Sequence, residues 1–363
     1  MNVVVKIGTS SITDEHGEIS TMAIEKLAAD VATVRGQGHR VVVVTSGAIA
    51  AGLPALGLSG ARPADVATLQ AVSAVGQIRL MAVYEAALSR HGLVAAQALL
   101  APTDFMQRSH WEHASAALGR LFDLGVVPVV NENDAVADDE IRYGDNDRLA
   151  ALVAHLIRAD LLVLLTDTAG LYSADPSLQA DASLIEEIVE FDHVRDVVAG
   201  GPGTARGSGG MASKFLAAKM ASWSGIRTVI AAADRPGVLA AAVAGEPGVG
   251  TVVPPRDRRL GARKLWIAFA LKHHGVVEVD EGARHALLEK GTSLLPVGVA
   301  RVTGNFAAGQ AVEIADKAGV VFAKGLARVS AADLRNLARR RTGELPEGVP
   351  HEVVHRDDLV IHP

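Results

Sequence analysis

Arg40-Val41-Val42-Val43-Val44-Thr45-Ser46-Gly47 is the stretch that decides the class of fold. Four successive valines leave no polar face, so the segment reads as a strand buried on both sides, as parallel strands between two layers of helices are. The run then breaks into Ser46-Gly47-Ala48-Ile49-Ala50-Ala51-Gly52, small residues that let a backbone approach a ligand and open a helix with unpaired amides. Runs of the same kind recur at Val3 to Ile7, Leu93 to Leu99, Val126 to Val130, Leu161 to Thr166 and Arg227 to Ala231. Helical periods lie between them. Ile24, Leu27, Ala28, Val31 and Val34 fall on one face after a Ser20-Thr21 cap and before Gly36 and Gly38, and Asp65 to Ser89, Ser109 to Leu124, Asn146 to Ile157 and Gly210 to Trp223 read likewise. The prediction is an α/β fold with an open, mainly parallel sheet sandwiched by helices.

Composition narrows the function. The 363 residues include no cysteine, which excludes a disulfide framework, an Fe–S cluster, Cys-ligated zinc and a thiol nucleophile, and favours a cytoplasmic protein. Hydrophobic residues make up 49% but aromatic ones 4%, so the core is built from aliphatic side chains. Thirty-five basic against forty-one acidic residues give a net charge of −6, no footprint for nucleic acid or a membrane surface. The amino-terminal stretch lacks a leader pattern, and Ala150 to Leu165 is broken by His155, Arg158 and Asp160, so no membrane span is expected there.

The pattern changes at Val253-Pro254-Pro255-Arg256-Asp257-Arg258-Arg259, two prolines and a charge cluster. We expect a first domain over 1–253, a linker over 254–272 and a second domain over 273–363. In the second, short runs at Val276 to Val279, Val297 to Val302, Ala311 to Ile314 and Val320 to Ala323, with one helix at Ala283 to Leu288, predict a small, mostly β module. From Gly261 onward fourteen basic face twelve acidic residues, so the module is nearly neutral.

The chemistry sits at strand ends. Gly207-Ser208-Gly209-Gly210-Met211-Ala212-Ser213-Lys214 leads glycine amides into a helix start, an anion nest to which Lys214 adds a full charge. Its spacing excludes a P-loop, and the G-x-G-x-x-A match lacks the preceding strand of a dinucleotide fingerprint. Lys6-Ile7-Gly8, Ser46-Gly47, Asn131-Glu132-Asn133-Asp134, Asp145-Asn146-Asp147 and Thr166-Asp167 place further polar or glycine positions on the same sheet edge, although Asp145 alone reads as a plain helix cap. Two lysines, glycine nests and carboxylates on one edge suit phosphoryl transfer. His351-Glu352-Val353-Val354-His355 matches the H-E-x-x-H zinc signature, but that motif needs a helix to bring its two histidines to one ion, and Pro346, Pro350 and the paired valines favour a strand. No metal site is assigned.

These residues resemble the glutamate 5-kinase family of the amino-acid kinase superfamily, with a C-terminal PUA domain. The resemblance rests on Val4 to Ser10, Val43 to Gly52, Pro128 to Ala137, Gly144 to Asp147, Leu164 to Asp167 with Gly170-Leu171-Tyr172, and the loop through Lys214. In the second domain it rests on Val279 to Ala283, Ser293 to Pro296, Val302 to Phe306 and His355 to Asp358. It implies an ATP-dependent kinase acting on the γ-carboxylate of L-glutamate, with Mg²⁺, at the first step of proline biosynthesis. By the same resemblance Lys6 and Lys214 hold the transferring phosphoryl group, amides at Gly8 and Gly47 clamp it, and Asp147 orients the lysines. Ser46, Asp134 and Asn146 bind glutamate; Lys6, Thr166, Asp167 and the run Ser208, Gly209, Gly210, Met211, Ala212, Ser213 and Lys214 line the ATP site. It also implies feedback inhibition by proline, glutamyl 5-phosphate reductase as metabolic partner, and a homodimer or homotetramer. The alternatives are a sibling kinase for another carboxylate or carbamate, and, in another class, RNA binding through the PUA module. That module's near-neutral charge and lack of an aromatic stacking row argue against RNA.

Overall fold

The computed structural model describes residues 1–58, 63–105, 107–136, 146–174, 179, 181–191, 208–257, 259–269, 271–346 and 348–362, and divides into two units, Met1–Arg259 and Leu260–Pro363. The expected cap at Asp145, the stretch from Ala137, and Gly207 with the loop before it lie outside the described residues.

In the first unit seven strands form one sheet: β1 (Asn2–Ile7), β2 (Arg40–Thr45), β3 (Ala95–Leu100), β4 (Val127–Glu132), β5 (Leu161–Thr166), β6 (Arg227–Ala232) and β7 (Thr251–Val253). Their order is β3-β4-β2-β1-β5-β6-β7, all pairs parallel except β6 with β7. The parallel strands therefore end at one edge, where ligands of open α/β sheets bind. Helices α1 (Thr9–Ile12), α2 (Thr21–Gly36), α3 (Ala48–Gly52), α4 (Val66–Ser89), α5 (Arg108–Asp123), α6 (Asn146–Leu156), α7 (Ser208–Trp223) and α8 (Val238–Ala244) cover it. Ser20 and Asp65 cap α2 and α4, each accepting a backbone N–H three residues on.

Alternation along β1 sets the site. Val3, Val5 and Ile7 join Val41, Val43, Val163 and the buried faces of α2, α4 and α8 in one core. Val4 and Lys6 point to the opposite face, where α6 and α7 pack, so a lysine inside an apolar strand reaches only what those helices offer it. Among the described helices α4 alone is long and apolar enough by composition to cross a membrane. Here it buries Val72, Leu80, Tyr84 and Leu88 in the unit's interior. At Gly52 and Gly76 the backbones of α3 and α4 touch: an added Cβ at Gly76 would lie 1.8 Å from the Ala48 carbonyl oxygen, and one at Gly52 2.1 Å from that of Val72.

β7 and α8 are absent from the sequence reading. β7 is three residues long and antiparallel at the sheet edge, too short to show a period.

His155, near the end of α6 with its ring 5.3 Å from that of Trp111, is lowered to about 4, first by burial and then by Arg158 and Arg259. A base held neutral in the fold binds its proton in the unfolded chain first, so its contribution is complete above about pH 6.5. It is lost as pH falls towards 4. We expect denaturant titrations to show stability dropping by up to about 3 kcal/mol over that window from this group, and His155→Gln to remove that part of the slope. An unchanged pH profile in the variant would contradict the assignment.

The second unit has its own core of Val277, Val279, Val312, Ile314, Phe322, Leu334 and Val354. Its sheet orders β8 (His273–Val279), β9 (Val299–Gly304), β10 (Ala311–Ala315), β11 (Val321–Ala327) and β12 (Val354–Ile361) as β12-β11-β10-β8-β9, only β8 and β10 being parallel. Helices α9 (Ala262–Phe269), α10 (Glu281–Lys290) and α11 (Ala331–Leu337) complete it. Helix α9 falls inside the segment that the sequence reading leaves as linker. Buried Lys324 donates to the carbonyls of Ala268 and Leu271, closing the C-terminal end of that helix. Val354 begins β12, so the H-E-x-x-H match runs into a strand as expected.

Candidate active site

Lys6, at the last turn of alternation in β1, meets Asp147 in the first turn of α6, with Nζ 2.5 Å from Oδ1. Lys214, one turn into α7, reaches the same carboxylate from the other side, Nζ to Oδ2 3.3 Å, and the Ser213 hydroxyl donates to Oδ2 at 2.7 Å. All three charged groups are buried, Asp147 to 1% exposure. Burial pushes the Asp147 carboxyl up, but the ammonium groups of Lys6 and Lys214 and the Ser213 hydroxyl outweigh it and hold the group below its ordinary range. The result is a carboxylate that fixes two ammonium groups with one net positive charge to spare, a receptor for an anion. Phe191 packs edge-on against Phe215, ring centroids 5.5 Å apart, and so braces the helix one residue beyond Lys214.

Glycines frame the cluster. Gly8 follows β1, and a Cβ there would lie 3.4 Å from Lys6 Nζ, so its backbone borders the ammonium. Gly47 sits before α3 at φ 101°, and a Cβ there would come within 2.8 Å of Ile12 Cδ1. Only glycine satisfies both conditions.

A second group lies beside the ends of β2 and β4. Asn146 donates from Nδ2 to the Thr45 carbonyl at 2.5 Å, to Ser46 Oγ at 3.0 Å and to Asn131 Oδ1 at 2.8 Å. Its Oδ1 is buried and finds no partner among the described residues. Asp134 follows β4, where the Ser73 hydroxyl donates to its Oδ2 at 2.5 Å. Thr166 and Asp167 close β5, Thr166 donating to Asp167 at 3.0 Å, and both line a cavity of about 420 Å³ together with Ser10, Ser11, Ser20 and Asp234. Ser208, Gly209, Gly210, Met211 and Ala212 form the first turn of α7; the Ser208 side chain lies outside the described residues.

The structure thus brings together Lys6, Asp147, Ser213 and Lys214, and separately Ser46 with Asn146. The sequence reading misses the roles of Ser73, Gln77 and Tyr84. Ser73 and Gln77 are the buried polar pair on α4, four apart and so on one face, a spacing that marks a buried polar purpose. Tyr84 bonds the Thr45 hydroxyl at 2.7 Å and its phenol is raised by burial.

Residues 1–232 match the Amino acid kinase family and residues 275–349 the PUA domain. Among curated relatives, a glutamate 5-kinase of Pelobacter propionicus is 42% identical over 363 residues, spanning 99% of this chain and 97% of that protein. One of Thermobifida fusca is 45% identical over 368 residues, with 99% and 92% covered. Among solved structures, an isopentenyl phosphate kinase superposes with a TM-score of 0.50 at 19% identity, covering 70% of this chain and 100% of its own. The carbamate kinase of Giardia lamblia does so with 0.50 at 16%, covering 70% and 98%. These two speak to the fold.

Proposed function

The chain belongs to the amino acid kinase family and, within it, to the glutamate 5-kinases, and on that premise we propose how its residues divide the work. It phosphorylates the γ-carboxylate of L-glutamate with ATP to give L-glutamyl 5-phosphate, the first step of proline biosynthesis. The proposal concerns where. Its main support is the Asp147 carboxylate shared by Lys6 and Lys214 at the carboxyl edge of the sheet.

A substrate carboxylate is already a nucleophile, so the reaction calls for no general base. The obstacle is repulsion between that carboxylate and the triphosphate. Lys6 and Lys214 lie on either side of the transferring phosphoryl group and take up its charge, Asp147 keeps both ammonium groups aimed, and the amides at Gly8 and Gly47 hold its oxygens. Thr166, Asp167 and the first two turns of α7 from Ser208 to Lys214 line the nucleotide site. Ser46, Asp134 and Asn146 hold glutamate; the unpartnered Asn146 Oδ1 supports a hydrogen-bond donor on the ligand. Mg²⁺ brought in with ATP would neutralise phosphate charge beside the two lysines.

The domain division is proposed as read from the sequence, 1–253 catalytic, 254–272 connecting and 273–363 PUA-like. A cytoplasmic homodimer or homotetramer, coupled metabolically to glutamyl 5-phosphate reductase, completes the reading. Proline shares glutamate's α-amino and α-carboxylate groups, and we place its inhibitory site in the glutamate pocket.

The test measures ADP release with glutamate, aspartate, acetylglutamate and carbamate in parallel, on the parent enzyme and on Asn146→Ala and Asp134→Ala. We expect glutamate as the preferred acceptor and a KM for glutamate raised about 10- to 100-fold in both variants, with KM for ATP within about twofold. Proline inhibition should weaken alongside. Equal effects on both substrates would move these residues out of the glutamate pocket.

A further inference from the structure

Two hydroxyls and a carbonyl at the end of β2 form a chain with one possible direction. Thr45 Oγ1 lies 3.0 Å from the Ser46 carbonyl oxygen, which only accepts, so the threonine gives its single proton there. The Tyr84 hydroxyl, 2.7 Å from the same Oγ1, must then be the donor in that contact. Thr45 and Tyr84 are both buried, so water does not compete for either bond. Across the sheet Ile7 pairs with Thr45 and Lys6 with Val44, which sets Thr45 on the face opposite to Lys6, among Val41, Val43 and Tyr84. The Ser46 carbonyl is therefore drawn towards α4. In a trans peptide the N–H opposes the C=O, so the Gly47 N–H points to the other face, the one to which Lys6 turns.

No other hydrogen bond among the described residues holds this peptide. The Thr45 carbonyl is fixed by Asn146 and the Gly47 carbonyl accepts from the Ala51 N–H at 2.9 Å. Between these anchors the Ser46 carbonyl meets Thr45 alone, and the N–H of buried Gly47 finds no partner among the described residues. A peptide between two fixed neighbours turns over by opposite rotations about the ψ before it and the φ after it. Glycine, lacking Cβ, leaves the second rotation open. Turned over, the peptide would present an oxygen to the phosphoryl group where a donor is needed. We propose that Thr45 is a positioning residue for phosphoryl transfer: its hydroxyl, aimed by Tyr84, latches the Ser46–Gly47 peptide with its N–H towards the transferring phosphoryl oxygens. This rests on the reading of the Gly47 amide as part of the phosphoryl clamp.

The test uses the full chain. Thr45→Val keeps the branched shape and removes the hydroxyl; Thr45→Ser keeps the hydroxyl. Because Thr45→Val leaves the Tyr84 hydroxyl buried without its partner, a double variant, Thr45→Val with Tyr84→Phe, removes both groups and offsets that loss of stability. We expect Thr45→Val to lower kcat about 10- to 100-fold with KM for glutamate and for ATP within about threefold, and Thr45→Ser to stay within about threefold of the parent. The double variant should regain thermal stability without regaining rate. Inhibition by ADP with aluminium fluoride, a mimic of the transferring phosphoryl group, should weaken in step with kcat, while ADP alone binds as before. A normal kcat in Thr45→Val, Thr45→Ser as slow as Thr45→Val, or a double variant that recovers rate along with stability would overturn the latch. The clamp is tested on the parent enzyme labelled with 15N-glycine, in which the Gly47 amide resonance is identified by its loss in Gly47→Ala. That resonance is expected to shift when ADP, aluminium fluoride and glutamate are added. If it stays in place, the clamp reading itself falls and this inference with it; if it shifts while Thr45→Val turns over normally, the clamp stands and the latch alone is wrong.

Discussion

Lys214→Ala is expected to lower kcat about a thousandfold while the protein keeps its fold. Lys214 Nζ lies 3.3 Å from Asp147 Oδ2 while Lys6 meets Oδ1, and it stands in the first two turns of α7. In the proposed role, charge that develops on the transferring phosphoryl group meets a full positive charge on this buried lysine, and alanine removes it. The helix itself loses little, because its hold on the unit comes from Ala217, Ala218, Met220 and Ala221, all buried. Asp147 retains Lys6 and Ser213. Single-turnover and steady-state rates beside far-ultraviolet circular dichroism check this. A folded variant with near-normal turnover would remove Lys214 from the chemistry.

Asp147→Asn should act on stability as well as on rate. Its carboxylate is the shared partner of two buried ammonium groups, and taking it away leaves those charges facing each other in a low dielectric. The cost is about 3–5 kcal/mol, the range for removing one member of a buried ion pair. We expect a lower unfolding midpoint, restored in part by millimolar ATP or inorganic phosphate, since an anion then takes the place of the carboxylate. The two lysine-to-alanine variants should show no such rescue. A variant as stable as the parent, or indifferent to anions, would mean that Asp147 does not hold the lysines together.

Most of the first sheet was legible because burial on both faces writes itself into the sequence: the valines of β2 and the leucines of β5 allow no other reading. The residues proposed to face phosphate were picked out for the opposite reason, since glycines and a lysine at strand and helix ends have little to do in packing. What escaped were elements whose stability comes from partners rather than pattern. Of β12 only the opening valine was read as strand, since the rest is half polar and is held by pairing with β11, and α9 reads as linker because two prolines and a charge cluster precede it. Gln77 escaped too. Its partner Asn131 is 54 positions distant in the chain and meets it only after folding. A glutamine four residues from a serine on a helix states that a polar face is present, not what it meets.

The contact of α3 with α4 through Gly52 and Gly76 has a consequence for how this enzyme could change its acceptor. Main chain rests on main chain there, with Gly47 at the head of one helix and Ser73 and Gln77 on the other. A side-chain interface is negotiable, since a larger residue on one partner is answered by a smaller one opposite. Two abutting backbones have no such currency: any methyl group drives them apart by more than the neighbours can absorb. The wall of the pocket is consequently a casting, and adaptation to a longer or shorter acid has to come from the side chains mounted on it or from loops around its rim.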